Sequence, residues 1–157
     1  MPARRAPTFD TLGAAVRDAE HLLAAGYESA GKWDLAQVCN HLADWLRFPM
    51  DGFPTPPLFL RPMFWVMRNT IGPGELRRLI AGKPFPLGSP TAPQTVYRAG
   101  GDPAAAVARF ADTVRRAEAY TGELRPSPFF GRLTREEWFG LNRAHFAHHL
   151  SFLVPKS

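Results

Sequence analysis

The chain has 157 residues, and its composition, 45% apolar and 21% charged, fits one globular domain that buries a single core. Its formal charge of +5 comes from scattered basic residues without interleaved aromatics, which argues against a nucleic-acid partner. A single cysteine excludes an internal disulfide, and no apolar run is long enough to span a bilayer. We therefore predict a cytoplasmic protein of one domain (1–157), with residues 1–7 as an N-terminal tail and no membrane partner.

Two helices are predicted in the first third of the chain. Apolar residues recur at helical spacing over residues 8–25 and again over residues 34–48. Asp34, followed three residues later by Gln37, is typical of a capping box and marks the start of the second helix. His41 falls within the apolar stripe of that helix, so its side chain is expected to point inward.

Residues 49–102 are rich in proline and contain ten of the sixteen prolines of the chain. Pro49 is expected to end the second helix, because its ring and its missing N–H oppose a further turn. The stretch has too few periodic apolar positions for a core of its own, so we predict a long crossover with short helices at about 63–70 and 74–81. Its aromatics are expected to pack over the bundle, and a lid over a pocket is the alternative. These aromatics are Phe53, Phe59, Phe64, Trp65 and Phe85.

Two further helices are predicted in the last third. An Asp-Pro pair at residues 102 and 103 begins a helix that runs to about residue 120, because an N-cap followed by proline favours a start there. Thr134 and Glu137 form a second capping-box pattern, for a helix over residues 134–153. No strand is predicted, so the fold class is an all-α four-helix bundle with the crossover between helices 2 and 3. The apolar stripe of the last helix is predicted to be Trp138, Leu141, His145 and Phe152.

Three of the five histidines lie within residues 145–149. His145 and His149 are one helical turn apart and close to one face, a spacing at which two imidazoles can bind one metal ion. His41 faces inward from another helix, and metal sites in helical bundles are built from such side chains on facing helices. Three imidazoles with an open fourth position are typical of a catalytic zinc-type site. The pattern alone leaves this interpretation and that of ordinary hydrogen-bonded histidines equally open.

Three neighbouring residues have roles that spacing does not settle. His148 lies about 60° to one side of His145, and His149 lies about 40° to the other, so either of them could ligate. Cys39 points about 200° away from the histidine two positions later and is interpreted as a small buried or boundary residue. Asp44 could hydrogen-bond a ligand or act as a base, but a surface carboxylate on the helix flank is the expected role.

Four stretches carry a family resemblance. Residues 31–43 (GKWDLAQVCNHLA) resemble the second-helix motif of the DinB/YfiT-like superfamily of four-helix-bundle proteins. Residues 145–150 (HFAHHL) resemble the C-terminal His-x-x-His-His motif of that superfamily. Residues 50–54 and 128–138 are similar to an uncharacterised branch, known only as a domain of unknown function. Members of this branch commonly have His-Pro where this chain has Ser127-Pro128.

The resemblance implies an up-up-down-down bundle, often dimeric, in which three histidines hold a divalent ion. Carried over by motif position, the ligands would be His41, His145 and His149, with His148 outside the ligand set. Characterised relatives include thiol-dependent transferases and isomerases that use low-molecular-weight thiols. The resemblance therefore implies a homodimer with a small-molecule or low-molecular-weight thiol substrate.

Two functional hypotheses follow. In the first, His41, His145 and His149 hold Zn²⁺ or Ni²⁺, and the protein is a metal-dependent hydrolase or thiol transferase, since a bound divalent ion activates water or a thiol near neutral pH. In the second, the protein is a non-catalytic helical bundle, such as a stress-linked binding protein, without a functional metal. The first hypothesis predicts stoichiometric metal, and the second predicts no metal and little change in stability with a chelator.

Overall fold

The computed structural model describes residues 2–86 and 91–156, and this part of the chain is mostly helical. Residues 87–90 of the predicted crossover lie outside the described residues. The prediction of a helical fold is therefore confirmed. A two-stranded antiparallel sheet, which was not predicted, accompanies the helices. In chain order the elements are α1 (Leu12–Ala25), β1 (Tyr27–Ser29), α2 (Leu35–Asp51), α3 (Arg61–Asn69), α4 (Gly72–Ile80), α5 (Pro103–Ala119), α6 (Arg135–Leu150) and β2 (Leu153–Pro155).

The predicted caps begin the long helices. The Asp34 side chain accepts a hydrogen bond from the backbone N–H of Gln37, and the Gln37 side chain accepts from the backbone N–H of Asp34. Thr134 and Glu137 form the same reciprocal pair at the start of α6. α1 begins later than predicted, because the hydroxyl of Thr11 accepts a backbone N–H and caps the helix there.

Pro49 does not end the second helix, and that prediction is wrong. α2 continues through Pro49 to Asp51. The proline removes the one N–H that would have bonded the Trp45 carbonyl, and this loss is confined to the last turn, where Phe48 is buried against the bundle. The helix ends instead at Gly52, whose φ of 110° suits glycine and whose N–H donates to the Phe48 carbonyl.

The end of the chain forms a strand that was not predicted from the sequence. α6 ends at Leu150, three residues earlier than expected. β2 then pairs with β1 in antiparallel register, with Tyr27 opposite Pro155 and Ser29 opposite Leu153. Strands of three residues are too short to show an alternating pattern in the sequence. The pairing joins the loop after α1 to the residues that follow the histidine-rich last turn of α6.

The N-terminal segment lies across the same end of α6. Arg5 forms an ion pair with Asp18 of α1. Its guanidinium also donates hydrogen bonds to the backbone carbonyls of Leu150 and Leu153. These carbonyls belong to the end of a helix and to the start of β2, so one arginine of the predicted tail joins three parts of the fold.

The four long helices share one core. α2 packs most extensively against α5, and α1 lies against α5 and α6. The largest wholly buried side chains are Trp138, Phe110 and Phe146, and the rings of Phe110 and Phe146 meet edge to face with centroids 4.9 Å apart. Burying such large apolar side chains supplies most of the free energy that holds the helices together.

The buried face of α6 differs from the predicted stripe. Leu141, His145 and Phe152 are only partly buried. The faces centred on His145 and on Phe146 both have helical spacing, and the apolar ring of Phe146 gains more from burial than an imidazole does. His145 therefore lies at the edge of the core. The buried side chains of α6 are Trp138, Asn142, Phe146 and Leu150.

Both predicted short helices of the crossover are confirmed, as α3 and α4. α4 packs on α6 through buried Leu76 and Leu79, and its Ile80 lies against Gly140 of α6. α3 has no wholly buried side chain. None of the described helices is long and apolar enough to cross a membrane.

Replacing Gly72 by alanine is expected to destabilise the protein by about 1–3 kcal/mol, because a Cβ there would lie 2.2 Å from the carbonyl oxygen of Phe129. Gly74→Ala in the same helix is the matched control, since its Cβ would meet nothing within 4 Å. The control is expected to be neutral or stabilising by up to about 1 kcal/mol. Urea unfolding measures both, and equal midpoints for the two variants would contradict the close packing of α4.

Candidate metal centre

Three imidazoles from two helices meet at one point. His41 comes from the middle of α2, and His145 and His149 come from successive turns of α6. One nitrogen of each ring lies within 4.8 Å of the other two. The Nε2 atoms of His41 and His145 are 3.3 Å apart, and the ring centroids of His41 and His149 are 4.5 Å apart. The structure thus brings together the three histidines predicted as ligands.

The helix starts set where these rings point. Each capping box fixes the first residue of its helix, and from there the 3.6-residue repeat decides which side chains share a face. His41 is 1% exposed and lies on the buried side of α2. His145 and His149 lie one turn apart on α6, at the edge of the core, and there they contact His41.

The tautomer of His41 is set by a backbone carbonyl. Its Nδ1 lies 3.1 Å from the carbonyl oxygen of Thr95, which can only accept, so Nδ1 carries the proton and donates. In the neutral ring Nε2 then presents its lone pair to the other two histidines. Thr95 is wholly buried in a short 3₁₀ turn, Pro93–Thr95, of the crossover. In many metal-binding histidines the ring nitrogen that does not bind the metal donates a hydrogen bond of this kind, which orients the ring.

The arrangement fits a divalent ion. Two imidazole nitrogens bound at about 2.0–2.1 Å to a tetrahedral ion are about 3.3 Å apart. The Nε2 atoms of His41 and His145 show this separation. Three neutral nitrogen donors suit borderline ions such as Zn²⁺ and Ni²⁺. The three histidines can therefore hold a metal ion together.

Burial keeps these imidazoles neutral. It lowers the pKa of His41 from 6.5 to about 4, although the Thr95 hydrogen bond and the charge of Asp44 act in the opposite direction. Burial also lowers the pKa values of His145 and His149 well below 6.5, and the neighbouring imidazoles lower them further. Near neutral pH the three rings thus have lone pairs available for a metal without first losing a proton.

Aromatic rings enclose the histidine cluster. Trp33 stacks on His149 at an interplanar angle of 9° with centroids 5.4 Å apart. Trp45 approaches His41 and His145 edge-on, with centroids 6.3 Å from each. Such rings hold the imidazoles in place and exclude water from the centre. The buried indole N–H of Trp45 has no hydrogen-bond partner among the described residues.

One of the crossover aromatics reaches this centre. Phe85 lies 5.5 Å from the ring of His145 and 5.3 Å from that of His148. Phe53 and Phe64 pack elsewhere, against the rings of Phe48 and Phe129. The predicted packing role therefore fits these two, whereas Phe85 is placed to cover the histidines. Phe59 and Trp65 are 79% and 59% exposed, so the packing prediction is wrong for them.

His148 lies beside the cluster, with its ring centroid 4.9 Å from that of His149, but it is not one of the three rings whose nitrogens converge. Its Nδ1 accepts a hydrogen bond from the Arg4 guanidinium at 3.1 Å. The same guanidinium lies 4.0 Å over the ring of Phe152 and donates to the hydroxyl of Ser151. Burial and the charge of Arg4 lower the pKa of His148 to about 4. This placement agrees with the resemblance, which leaves His148 outside the ligand set.

Asp44 is not on the surface, and that expectation is wrong. It is 2% exposed, and its carboxylate accepts hydrogen bonds from Tyr97 at 2.7 Å, from Arg109 at 2.6 Å and from Arg47 at 3.0 Å. Burial acts to raise the pKa of Asp44, but these three donors together hold it below its usual range. The sequence offered only one signal for this cluster, the Asp44–Arg47 spacing on α2.

Two other residues have structural roles. Cys39 is wholly buried, and burial raises the pKa of its thiol to about 12, so it is an apolar residue of the core as predicted. Ser127 lies in the turn before α6. Its hydroxyl accepts from the backbone N–H groups of Phe129 and Phe130, and its backbone pairs with that of Gly131. The chain uses this position to form a turn.

One protein family matches this chain. The family carries the description "Protein of unknown function (DUF1569)", and its model matches residues 1–156. A search of curated proteins and a search of solved structures each returned no match. The match confirms the predicted membership in an uncharacterised domain of unknown function and assigns no activity. Because it spans almost the whole length, the chain belongs to the DUF1569 family.

Proposed function

We propose that this protein binds a divalent metal ion, Zn²⁺ or Ni²⁺, through His41, His145 and His149, and that it uses the ion in a hydrolysis or a thiol-dependent transfer. The observation that carries the proposal is the convergence of three neutral imidazoles from α2 and α6, with two Nε2 atoms 3.3 Å apart. When bound, such an ion polarises a carbonyl and lowers the pKa of water or a thiol.

The surrounding residues support a reactive site more than a purely structural one. Three neutral ligands leave the charge of the ion uncompensated, whereas structural zinc sites are usually closed by a fourth side chain. The carboxylate of Asp44, whose charge acts on His41, is already engaged by three donors. Phe85 and Trp33 lie against the rings of His145 and His149, and apolar cover of this kind strengthens electrostatic interactions at a site.

The sequence resemblance supports the finer parts of the proposal. It favours a bundle of the DinB-like type, a homodimer and a substrate that is, or reacts with, a low-molecular-weight thiol. The single cysteine favours a cytoplasmic location. The scattered positive charge continues to argue against a nucleic-acid partner.

The metal content of the purified protein tests the proposal. About one divalent ion per chain is expected by elemental analysis, and it should be lost in His145→Ala and in His149→Ala. His21→Ala is the matched control, because His21 is exposed on α1, and it should keep the metal. Circular dichroism of each variant separates loss of metal from loss of fold.

The same measurements decide between the two hypotheses. A protein that is metal-free as purified, takes up no added Zn²⁺ or Ni²⁺ and keeps its unfolding midpoint with a chelator is a non-catalytic bundle, and the proposal is then wrong. A folded His145→Ala variant that still binds one equivalent of metal would show that the metal is bound by other residues, and the proposed site would be wrong.

A further inference from the structure

A second site lies away from the histidines, in a cleft of about 530 Å³. This volume is within the range of small-ligand sites. The cleft is bounded by three segments: the end of α2 with the loop 51–56, helix α3, and the chain at residues 125–128. None of the histidines lines it, so it is separate from the proposed metal centre.

The cleft has an excess of positive charge. Arg61, Arg68 and Arg125 line it, and none of the three forms an ion pair with another described residue. The one carboxylate in the lining, Asp51, is already bound to Arg116. Three arginines without an ion-pair partner therefore line one concave surface, an arrangement that attracts anions.

The walls between these arginines are apolar and flat. Phe53, Phe64 and Trp65 line the cleft together with four prolines. The Trp65 side chain is 59% exposed, so its indole face is available to a ligand. Aromatic faces bind flat apolar groups by stacking, while arginines beside them bind the charged end of the same molecule.

Contacts between the three segments form the cleft in advance. The backbone N–H of Arg125 donates to the carbonyl of Pro49 at 2.7 Å and fixes one wall to the end of α2. The ring of Phe64 meets that of Phe129 edge to face at 5.1 Å, which fixes α3 to the turn after residue 126. Binding a ligand would therefore cost little free energy for rearranging the site.

We propose that this cleft binds a small organic phosphate, a molecule with a flat apolar body and a phosphate group. The phosphate is preferred over a single carboxylate because it carries up to two charges and presents three oxygens, which match several guanidinium forks at once. The flat body lies against Trp65 and Phe64. This site does not depend on the metal centre, and either site can exist without the other.

Titration calorimetry of the 157-residue chain with phenyl phosphate tests this inference. Binding is expected, and inorganic phosphate, which lacks the flat body, should bind at least about tenfold more weakly. The double variant Arg61→Gln/Arg125→Gln removes two exposed charges and keeps the backbone contact of Arg125. It is expected to weaken binding by about tenfold or more, and Trp65→Leu should weaken phenyl phosphate but not inorganic phosphate.

Arg17→Gln is the matched control, because Arg17 is an exposed arginine on α1, and it should leave binding unchanged. Absence of binding, or an equal loss in the control variant, would overturn the proposal. A membrane phosphate could supply the same chemistry, so sedimentation with vesicles of anionic phospholipid is the second arm. Binding to the vesicles without binding of phenyl phosphate would also overturn a small-molecule site.

Discussion

Acidification from about pH 7 to about pH 4.5 is expected to lower the free energy of unfolding of the metal-free protein by roughly 3 kcal/mol or more. A histidine whose pKa falls from 6.5 to about 4 on folding, as His41 does, accounts for roughly 3 kcal/mol when the change is complete. His145 and His149 shift in the same direction and add to the effect.

The direction follows from proton binding. Well above pH 6.5 these imidazoles are neutral in both states, and pH has no effect on stability through them. Below 6.5 the unfolded chain binds protons that the folded protein excludes, so stability falls until the pH reaches the folded pKa, about 4 for His41. Asp44 acts at lower pH. Its folded pKa lies below 3.8, so its contribution is present above 3.8 and is lost as the pH falls through the folded value.

Urea unfolding of the metal-free protein at several pH values measures this slope. His145→Gln is expected to reduce the loss of stability between pH 6.5 and about pH 4. The variant lacks one of the imidazoles that take up a proton in the unfolded chain but not in the folded protein. His21→Gln, on the surface of α1, should keep the loss. A flat stability over that interval would mean that the three imidazoles are accessible to protons in the folded protein.

The histidine site could be predicted because its signals are local. A capping box fixes where each helix starts, and the four-residue step from His145 to His149 then places both rings near one face. His41 lay within an apolar stripe, which predicted an inward side chain, and it is 1% exposed. The meeting of the two helices was inferred from the bundle and from the resemblance, not from spacing alone.

The rest depends on contacts between residues far apart in the sequence. Thr95 and Tyr97 contact α2 from the crossover, more than fifty positions away, and no periodicity marks them. The two short strands pair across almost the whole chain. Pro49 continues a helix because the packing of that turn outweighs one lost hydrogen bond, and packing is a property of the fold.

Asp44→Ala is expected to destabilise the protein by about 3 kcal/mol. The change removes the acceptor of three hydrogen bonds. The hydroxyl of Tyr97 loses its acceptor, and Arg109 loses its ion pair and keeps only its hydrogen bonds to Asn40 and Tyr97. Asp51→Ala is the matched control. Asp51 also binds arginines, but its side chain is 31% exposed, so about 1 kcal/mol or less is expected.

The same substitution should also weaken metal binding. Tyr97 is held to α2 through Asp44 and also through its own carbonyl, which accepts a hydrogen bond from Gln37. Two residues before it, the carbonyl of Thr95 orients His41. Loosening this segment is expected to reduce Zn²⁺ affinity by about tenfold, the usual size of such indirect effects.

Tyr97→Phe separates the two consequences. It removes the hydroxyl, which donates to Asp44 and accepts a long hydrogen bond from Arg109, and it keeps the arginine pairs of Asp44. Its expected cost in stability is about 1 kcal/mol. If the crossover positions His41, this variant should lose Zn²⁺ affinity more than Asp51→Ala does at similar stability, as measured by competition with a chromophoric chelator. Equal Zn²⁺ affinities in the two variants would mean that His41 keeps its orientation without the contact between Tyr97 and Asp44.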